Sequence, residues 1–180
     1  LSGKLEPTNE AYAIAKISGI KMCESYNRQY GRDYRSIMPT NLYGPEDNFD
    51  PDHAPMLPTL IRKAYLSKIN NTSLDVWGDG TPLRQYTFAD DYVQIYKWCL
   101  ENYNDDEIIN VGTHEECSID KIANYICEST GISSSRINYL TDKPKGIFRR
   151  PMDNSRFISL SSFKFTQLSE GIDKTCKWVK

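Results

Sequence analysis

Glu6-Pro7-Thr8-Asn9-Glu10-Ala11-Tyr12-Ala13-Ile14-Ala15-Lys16 is the stretch on which the reading of the chain turns. Pro7 and the polar residues after it read as a turn feeding a helix start. Beyond Lys16, apolar side chains recur at roughly helical spacing (Ile17, Ile20, Met22, Cys23, Tyr26), and Gly31 stops the helix just past Tyr30. The i, i+4 spacing of Tyr12 and Lys16 sets both on one helix face, one turn apart. A phenol beside an ammonium is one way to build an acid–base catalyst. Free tyrosine, with a pKa of about 10, holds its proton tightly at neutral pH, and a nearby cation favours the phenolate. The spacing alone also fits an ordinary amphipathic helix face, so its surroundings decide.

Tyr34-Arg35-Ser36-Ile37-Met38 reads as a short strand that ends in a Pro/Asn/Gly loop from Pro39 to Pro45. Helix, strand and polar loop in that order suit an open α/β sheet, where ligands sit past the carboxyl ends of strands. Further along, residues 55–67 are helical in pattern, Leu74 to Trp77 a strand, and Arg84 to Phe88 another. Asp90 is expected to cap a helix through Leu100, with Tyr92, Ile95, Tyr96 and Cys99 inward. Glu107 to Val111 and Arg136 to Leu140 read as strands, with a helix between them capped by Ser118 and closed by Gly131. Residues 142–151 form a basic loop, 161–165 a polar turn, and 172–179 a terminal helix. Alternating strands and helices predict an α/β fold.

With 180 residues the chain is long enough for a sizeable core. A net charge of −2 carries no signature of nucleic-acid or membrane-surface binding. No run approaches the ~18 apolar residues of a membrane span, and Leu1 to Leu5 is no signal-peptide core. The five cysteines (Cys23, Cys99, Cys117, Cys127, Cys176) form no Cys-x-x-Cys pair, so no metal site is expected and they read as buried reduced thiols.

The chain resembles the extended short-chain dehydrogenase/reductases. The resemblance rests on residues 6–16, on Cys23 to Gly31, and on Met38-Pro39-Thr40-Asn41-Leu42-Tyr43-Gly44-Pro45 with Asp47-Asn48-Phe49. Trp77-Gly78-Asp79-Gly80-Thr81-Pro82-Leu83-Arg84, Asp90-Asp91, Asn110-Val111-Gly112, Cys117-Ser118-Ile119, Lys143 to Gly146 and Arg149-Arg150 extend it over nearly the whole chain. Within that family the match is to enzymes that epimerise a GDP-4-keto-6-deoxyhexose at C3 and C5 and reduce it at C4 with NADPH. The resemblance implies a partial Rossmann-type sheet plus a smaller α/β substrate-binding domain. Residues 1–50, with a return segment at about 86–112, would belong to the cofactor domain, and 51–85 with 113–180 mainly to the substrate domain. It also implies a nucleotide-diphosphate sugar as partner, a cytoplasmic homodimer, and no nucleic acid or membrane.

In that family a glycine-rich loop after the first strand cradles the cofactor pyrophosphate. No Gly-x-x-Gly-x-x-Gly or Gly-x-Gly-x-x-Gly occurs here. The expectation is a C-terminal part of the enzyme, a βαβαβ half of roughly 100 residues lying elsewhere. The resemblance makes Tyr12 the acid for the C4 oxygen and Lys16 its partner, which also binds the nicotinamide ribose. Pro39, Thr40, Asn41 and Leu42 would lie beside the nicotinamide, Asn41 reaching substrate as well. Lys63, Arg84 and Arg150 would hold the diphosphate, with Trp77 near the sugar or base. One position departs from the pattern: the family's epimerisation histidine falls on Pro55, and His53 stands two residues earlier. His53 either substitutes through a loop shift or is a plain loop histidine. The alternatives are another nucleotide-sugar epimerase or reductase of the same family, and a catalytically silent fragment that acts only as a binding module.

Overall fold

A computed structural model describes residues 3–105 and 107–180; Leu1 and Ser2, with which the signal-peptide reading begins, lie outside them. Pro7 begins a single 3-10 turn, Pro7–Asn9, that runs straight into helix α1, Glu10–Tyr30. Gly31 closes α1 in the left-handed region (φ 59), a conformation that costs glycine no Cβ clash. Strand β1, Ile37–Pro39, follows, and after Thr40 the chain enters β2, Asn41–Tyr43. The expected loop from Pro39 is therefore corrected: it starts only at Gly44. Tyr43 is buried, its ring edge-on to Tyr86 and tilted against Phe88, and this packing overrides the turn preference of the Pro/Asn sequence.

The remaining elements are α2 (Met56–Asn70), β3 (Leu74–Trp77), β4 (Leu83–Arg84), β5 (Tyr86–Phe88), α3 (Ala89–Asn102), β6 (Ile109–Val111), β7 (Cys117–Ser118), α4 (Ile119–Thr130), β8 (Ile137–Leu140), α5 (Ser155–Ser161) and α6 (Leu168–Val179). β1 pairs in parallel with β6, β2 with β5 and β3 with β8, while β4 and β7 are antiparallel. Parallel pairs joined through helices are the Rossmann-type signature, so the fold class is α/β as expected. At Thr40 the chain leaves one strand pair and enters another, a change of partner with no periodic signal in the sequence.

Two hydrophobic clusters form. The larger joins α2, α4 and α6 to β2, β3 and β5 through Leu57, Ile61, Leu74, Val76, Phe88, Ile122, Ile126 and Ile172. The smaller gathers Ile95, Cys99, Tyr103, Ile109, Val111 and Phe157, with Trp98, Phe163 and Phe165 packed against it. Each fully buried side chain of this size contributes roughly 1.5–3 kcal/mol. Phe163 and Phe165 thus turn the supposed polar turn of 161–165 into part of a core. Tyr96, expected inward, is exposed. Asp90 does not cap α3: Phe88 is the N-cap residue, and Asp90 and Asp91 lie in the first turn. Asp91 instead accepts hydrogen bonds from the Thr166 amide (2.7 Å) and hydroxyl (2.8 Å). Four of the cysteines are buried and free as expected; Cys23 is only half-buried. α1 buries no residue, and Tyr12, Ile14, Met22, Tyr26 and Tyr30 are exposed along it.

Candidate functional site

Tyr12 and Lys16 lie in the first two turns of α1, and the Lys16 ammonium stands 5.5 Å from the centre of the Tyr12 ring. The helical repeat alone sets that distance. Tyr12 is 64% exposed, so its hydroxyl is open to a reactant. Lys16 has no carboxylate partner among the described residues, which leaves its N–H groups for a ligand's hydroxyls. Among the described residues, Tyr12 and Lys16 interact with each other and with no other candidate.

Pro39 ends β1, Thr40 bridges the strand pairs, and Asn41 and Leu42 begin β2. A polar junction holds this corner. The Thr40 amide donates to the Val111 carbonyl (3.2 Å), and the Thr40 and Thr87 hydroxyls are 2.7 Å apart. Thr87 Oγ1 also accepts from the Thr113 amide (3.2 Å), and Asn154 donates to the Gly112 carbonyl. A Cβ on Gly112 would stand 2.5 Å from Thr40 Cγ2, so only glycine allows this approach. The Asn41 amide donates to the Gln85 carbonyl (3.2 Å), leaving Asn41 exposed at the rim.

The substrate-side residues form two groups. Lys63 on α2 places its ammonium 5.7 Å over the Trp77 ring, which ends β3 and is 55% exposed. Arg84 on β4 donates from one terminal nitrogen to its neighbour Leu83's carbonyl (2.7 Å) and to the Ile147 carbonyl (2.8 Å). Its other donors carry no hydrogen bond among the described residues. Residues 141–151 form an exposed strap beside it. Arg150 lies on the strap between Phe148, whose carbonyl accepts from Leu83 N–H (2.8 Å), and Met152, whose N–H reaches Gln85 Oε1 (2.8 Å). Arg150 has no ion-pair partner among the described residues. Three strap cations do: Lys143 lies 3.9 Å from its neighbour Asp142, Lys145 pairs with Asp79 (2.5 Å), and Arg149 forks onto Glu116 (2.6–3.1 Å). Lys145 and Thr81 hold the Asp79 carboxyl well below the usual range, and the hydrogen bonds from Arg149 lower that of Glu116. Sequence reasoning missed these two carboxylates, because nothing local in the chain marks a pair 66 or 33 residues apart.

His53 is isolated. It sits in the turn before α2, its side chain 81% exposed, with Nδ1 3.4 Å from Asp50. Pro55 is the residue that precedes the first turn of α2. Among the described residues no cluster of side chains could hold a metal ion, and no helix is long and apolar enough to cross a membrane.

The chain is 42% identical over 188 residues to "GDP-L-fucose synthase" of Escherichia coli (strain K12), an alignment spanning 99% of this chain and 58% of that protein. It is 42% identical to the protein of the same name from Sinorhizobium fredii, over 97% of this chain and 56% of the relative. Among solved structures, a GDP-L-fucose synthetase from Naegleria fowleri bound to NADP superposes with a TM-score of 0.93 at 30% identity, covering 98% of this chain and 57% of that one. The chain thus spans a little over half the length of the relatives it matches. The model of the NAD dependent epimerase/dehydratase family matches residues 1–112, a span that takes in the Tyr12/Lys16 helix, the Thr40 junction and Arg84. With that match over more than half its length, the chain belongs to the NAD dependent epimerase/dehydratase family.

Proposed function

We propose that this chain carries the proton donor and the nucleotide-sugar site of an NADP-dependent enzyme that converts GDP-4-keto-6-deoxy-D-mannose to GDP-L-fucose, by epimerisation at C3 and C5 and reduction at C4. The observation that carries the reading is the open Tyr12 hydroxyl beside an unpaired Lys16 ammonium on one helix face. The names of the relatives and the NADP in the superposed structure support the substrate and cofactor. The residues present fit the nicotinamide end of the cofactor: Lys16 has free donors for ribose hydroxyls, and Pro39 to Leu42 offer a strand-end rim. When bound, NADPH supplies hydride. Tyr12 gives its proton to the C4 oxygen, so the ketone gains hydride at carbon and a proton at oxygen. Lys16 steadies the phenolate left behind. On the substrate side, the unused Arg84 donors and Arg150 fit phosphate oxygens, and Trp77 with Lys63 above it offers a stacking face.

The cofactor layer comprises α1, β1, β6 and α3, and the substrate layer the α2, α4 and β3–β8 region. We take the enzyme to work as a cytoplasmic homodimer, the exposed apolar residues of α1 supporting a partner on that helix.

On the enzyme as its source organism makes it, Tyr12→Phe should lower NADPH oxidation by GDP-4-keto-6-deoxymannose by about 10²–10⁴-fold, the range for a lost general acid. Undiminished turnover would overturn the reading. Run in D2O, the same assay should place deuterium at C3 and C5. The isolation of His53 and the Pro55 substitution favour a second reading, a reductase without epimerase activity. Product labelled at neither carbon would select it.

A further inference from the structure

The strap of residues 141–151 is held to the body by more than chain connectivity. Lys145 is pinned to Asp79, its stem lying over Gly78, where an added Cβ would come within 3.1 Å of Lys145 Cγ. Asp79 is itself held by the Thr81 amide (3.1 Å) and hydroxyl (2.7 Å). Arg149 is gripped by both oxygens of Glu116. Between these pins, the Ile147 carbonyl fixes one nitrogen of Arg84, and Gly146 lies close enough that a Cβ there would stand 3.3 Å from the other. Of the strap cations Lys143, Lys145, Arg149 and Arg150, the first three have carboxylate partners, and Arg150 has none among the described residues.

We propose that Asp79 and Glu116 are positioning residues for a nucleoside diphosphate: by pinning Lys145 and Arg149 they fix the strap, so that its Ile147 carbonyl aims the Arg84 fork and its Arg150 stays available to phosphate. This rests on the reading of Arg84 and Arg150 as diphosphate groups. The sign of the effect separates it from simple electrostatics. Removing two negative charges near a polyanion site should tighten binding if only the field matters. If the carboxylates act by geometry, removing them weakens it.

The probe is GDP, titrated calorimetrically at low salt into the enzyme as its source organism makes it. The wild type should bind. Asp79→Asn with Glu116→Gln should weaken binding roughly tenfold, the scale of loss when a phosphate fork is slightly misplaced. Both side chains are partly exposed, neither lies in a hydrophobic core, and circular dichroism should show an unchanged fold. In an Arg84→Gln background the double change should cost clearly less than in the wild type, since the part of its effect that passes through Arg84 is already gone. Trypsin gives a readout independent of nucleotide. Lys143 and Arg150 precede proline, so strap cleavage falls after Lys145 and Arg149, and it should be faster in the double variant. A wild type that ignores GDP sinks the diphosphate reading. A wild type that binds, beside a double variant that binds as well or better, sinks the positioning role alone; so do unchanged strap cleavage and a full further loss in the Arg84→Gln background.

Discussion

Thr87 shows how one hydroxyl serves several neighbours. It is 1% exposed, lies 2.7 Å from the Thr40 hydroxyl and accepts the Thr113 N–H. Thr87→Val keeps the shape but leaves the Thr113 amide without its partner and strips Thr40 Oγ1 of its bond. A buried group left unpaired costs about 1–3 kcal/mol, so urea denaturation should show a loss of that size. A loss well under 1 kcal/mol would mean the junction is looser than its geometry. At this scale the sequence was informative where chemistry is local. Tyr12 and Lys16 are brought together by the helical repeat, and their pairing was legible from spacing alone. Thr87, Thr113, Asn154, Asp79 and Glu116 were not, since each acts through a residue far off in the chain. His53 was a candidate by proximity in sequence, and folding left its ring facing Asp50.

Among the elements, α1 and α4 make an instructive contrast. α4 buries Ile119, Ile122, Ala123, Ile126, Cys127 and Thr130, and Ser118 caps it by accepting the Lys121 N–H at 3.1 Å. α1 is longer but buries nothing. Helices without a packed face are marginal in water, so in this chain the α1 amides should exchange with solvent first, and those of α4 near the global limit. Hydrogen-exchange mass spectrometry reads this directly, and equal protection of α1 and α4 would contradict it. The strap makes a second prediction. Asp79 and Glu116 have carboxyl pKa values lowered by their cationic and hydrogen-bonding partners. A lowered pKa in the folded state means the contribution is present above the ordinary carboxylate range and lost as pH falls below it. The Leu83 N–H bonded to Phe148 should therefore lose protection below about pH 4, after correction for the intrinsic rate, while α4 stays protected. Strap protection lost instead between neutral pH and the carboxylate range would point to other groups. Gly31 and Gly131, free of a Cβ, ended their helices at positive φ, and the Ser118 hydroxyl began α4, so α1 and α4 were readable to within a residue or so. β2 was not: Asn41 to Tyr43 has the composition of a turn and becomes a strand because Tyr43 packs on Tyr86 and Phe88.

Over the whole molecule, two cores meet at the Thr40 junction, where β1 passes into β2 and β5 leads through α3 to β6. Ile61 is fully buried in the larger core and Phe157 in the smaller. Truncating either to alanine should cost about 2–5 kcal/mol. Because the strand pairs of both cores run through the same junction, each variant should still unfold in a single transition. Calorimetry that resolved two transitions for Phe157→Ala would show that the cores melt separately. The α/β class, the order of most elements, and the Tyr12/Lys16 pair follow from the sequence by itself, because they depend on repeats of two or 3.6 residues and on capping chemistry that acts within a turn. Only the tertiary structure decided that β2 is a strand, that Phe157, Phe163 and Phe165 close the second core, that His53 stands apart, and that Asp79 and Glu116 pin the strap onto Arg84. Those outcomes depend on which distant segments meet, and burial and charge pairing between such segments outweigh what neighbouring residues prefer.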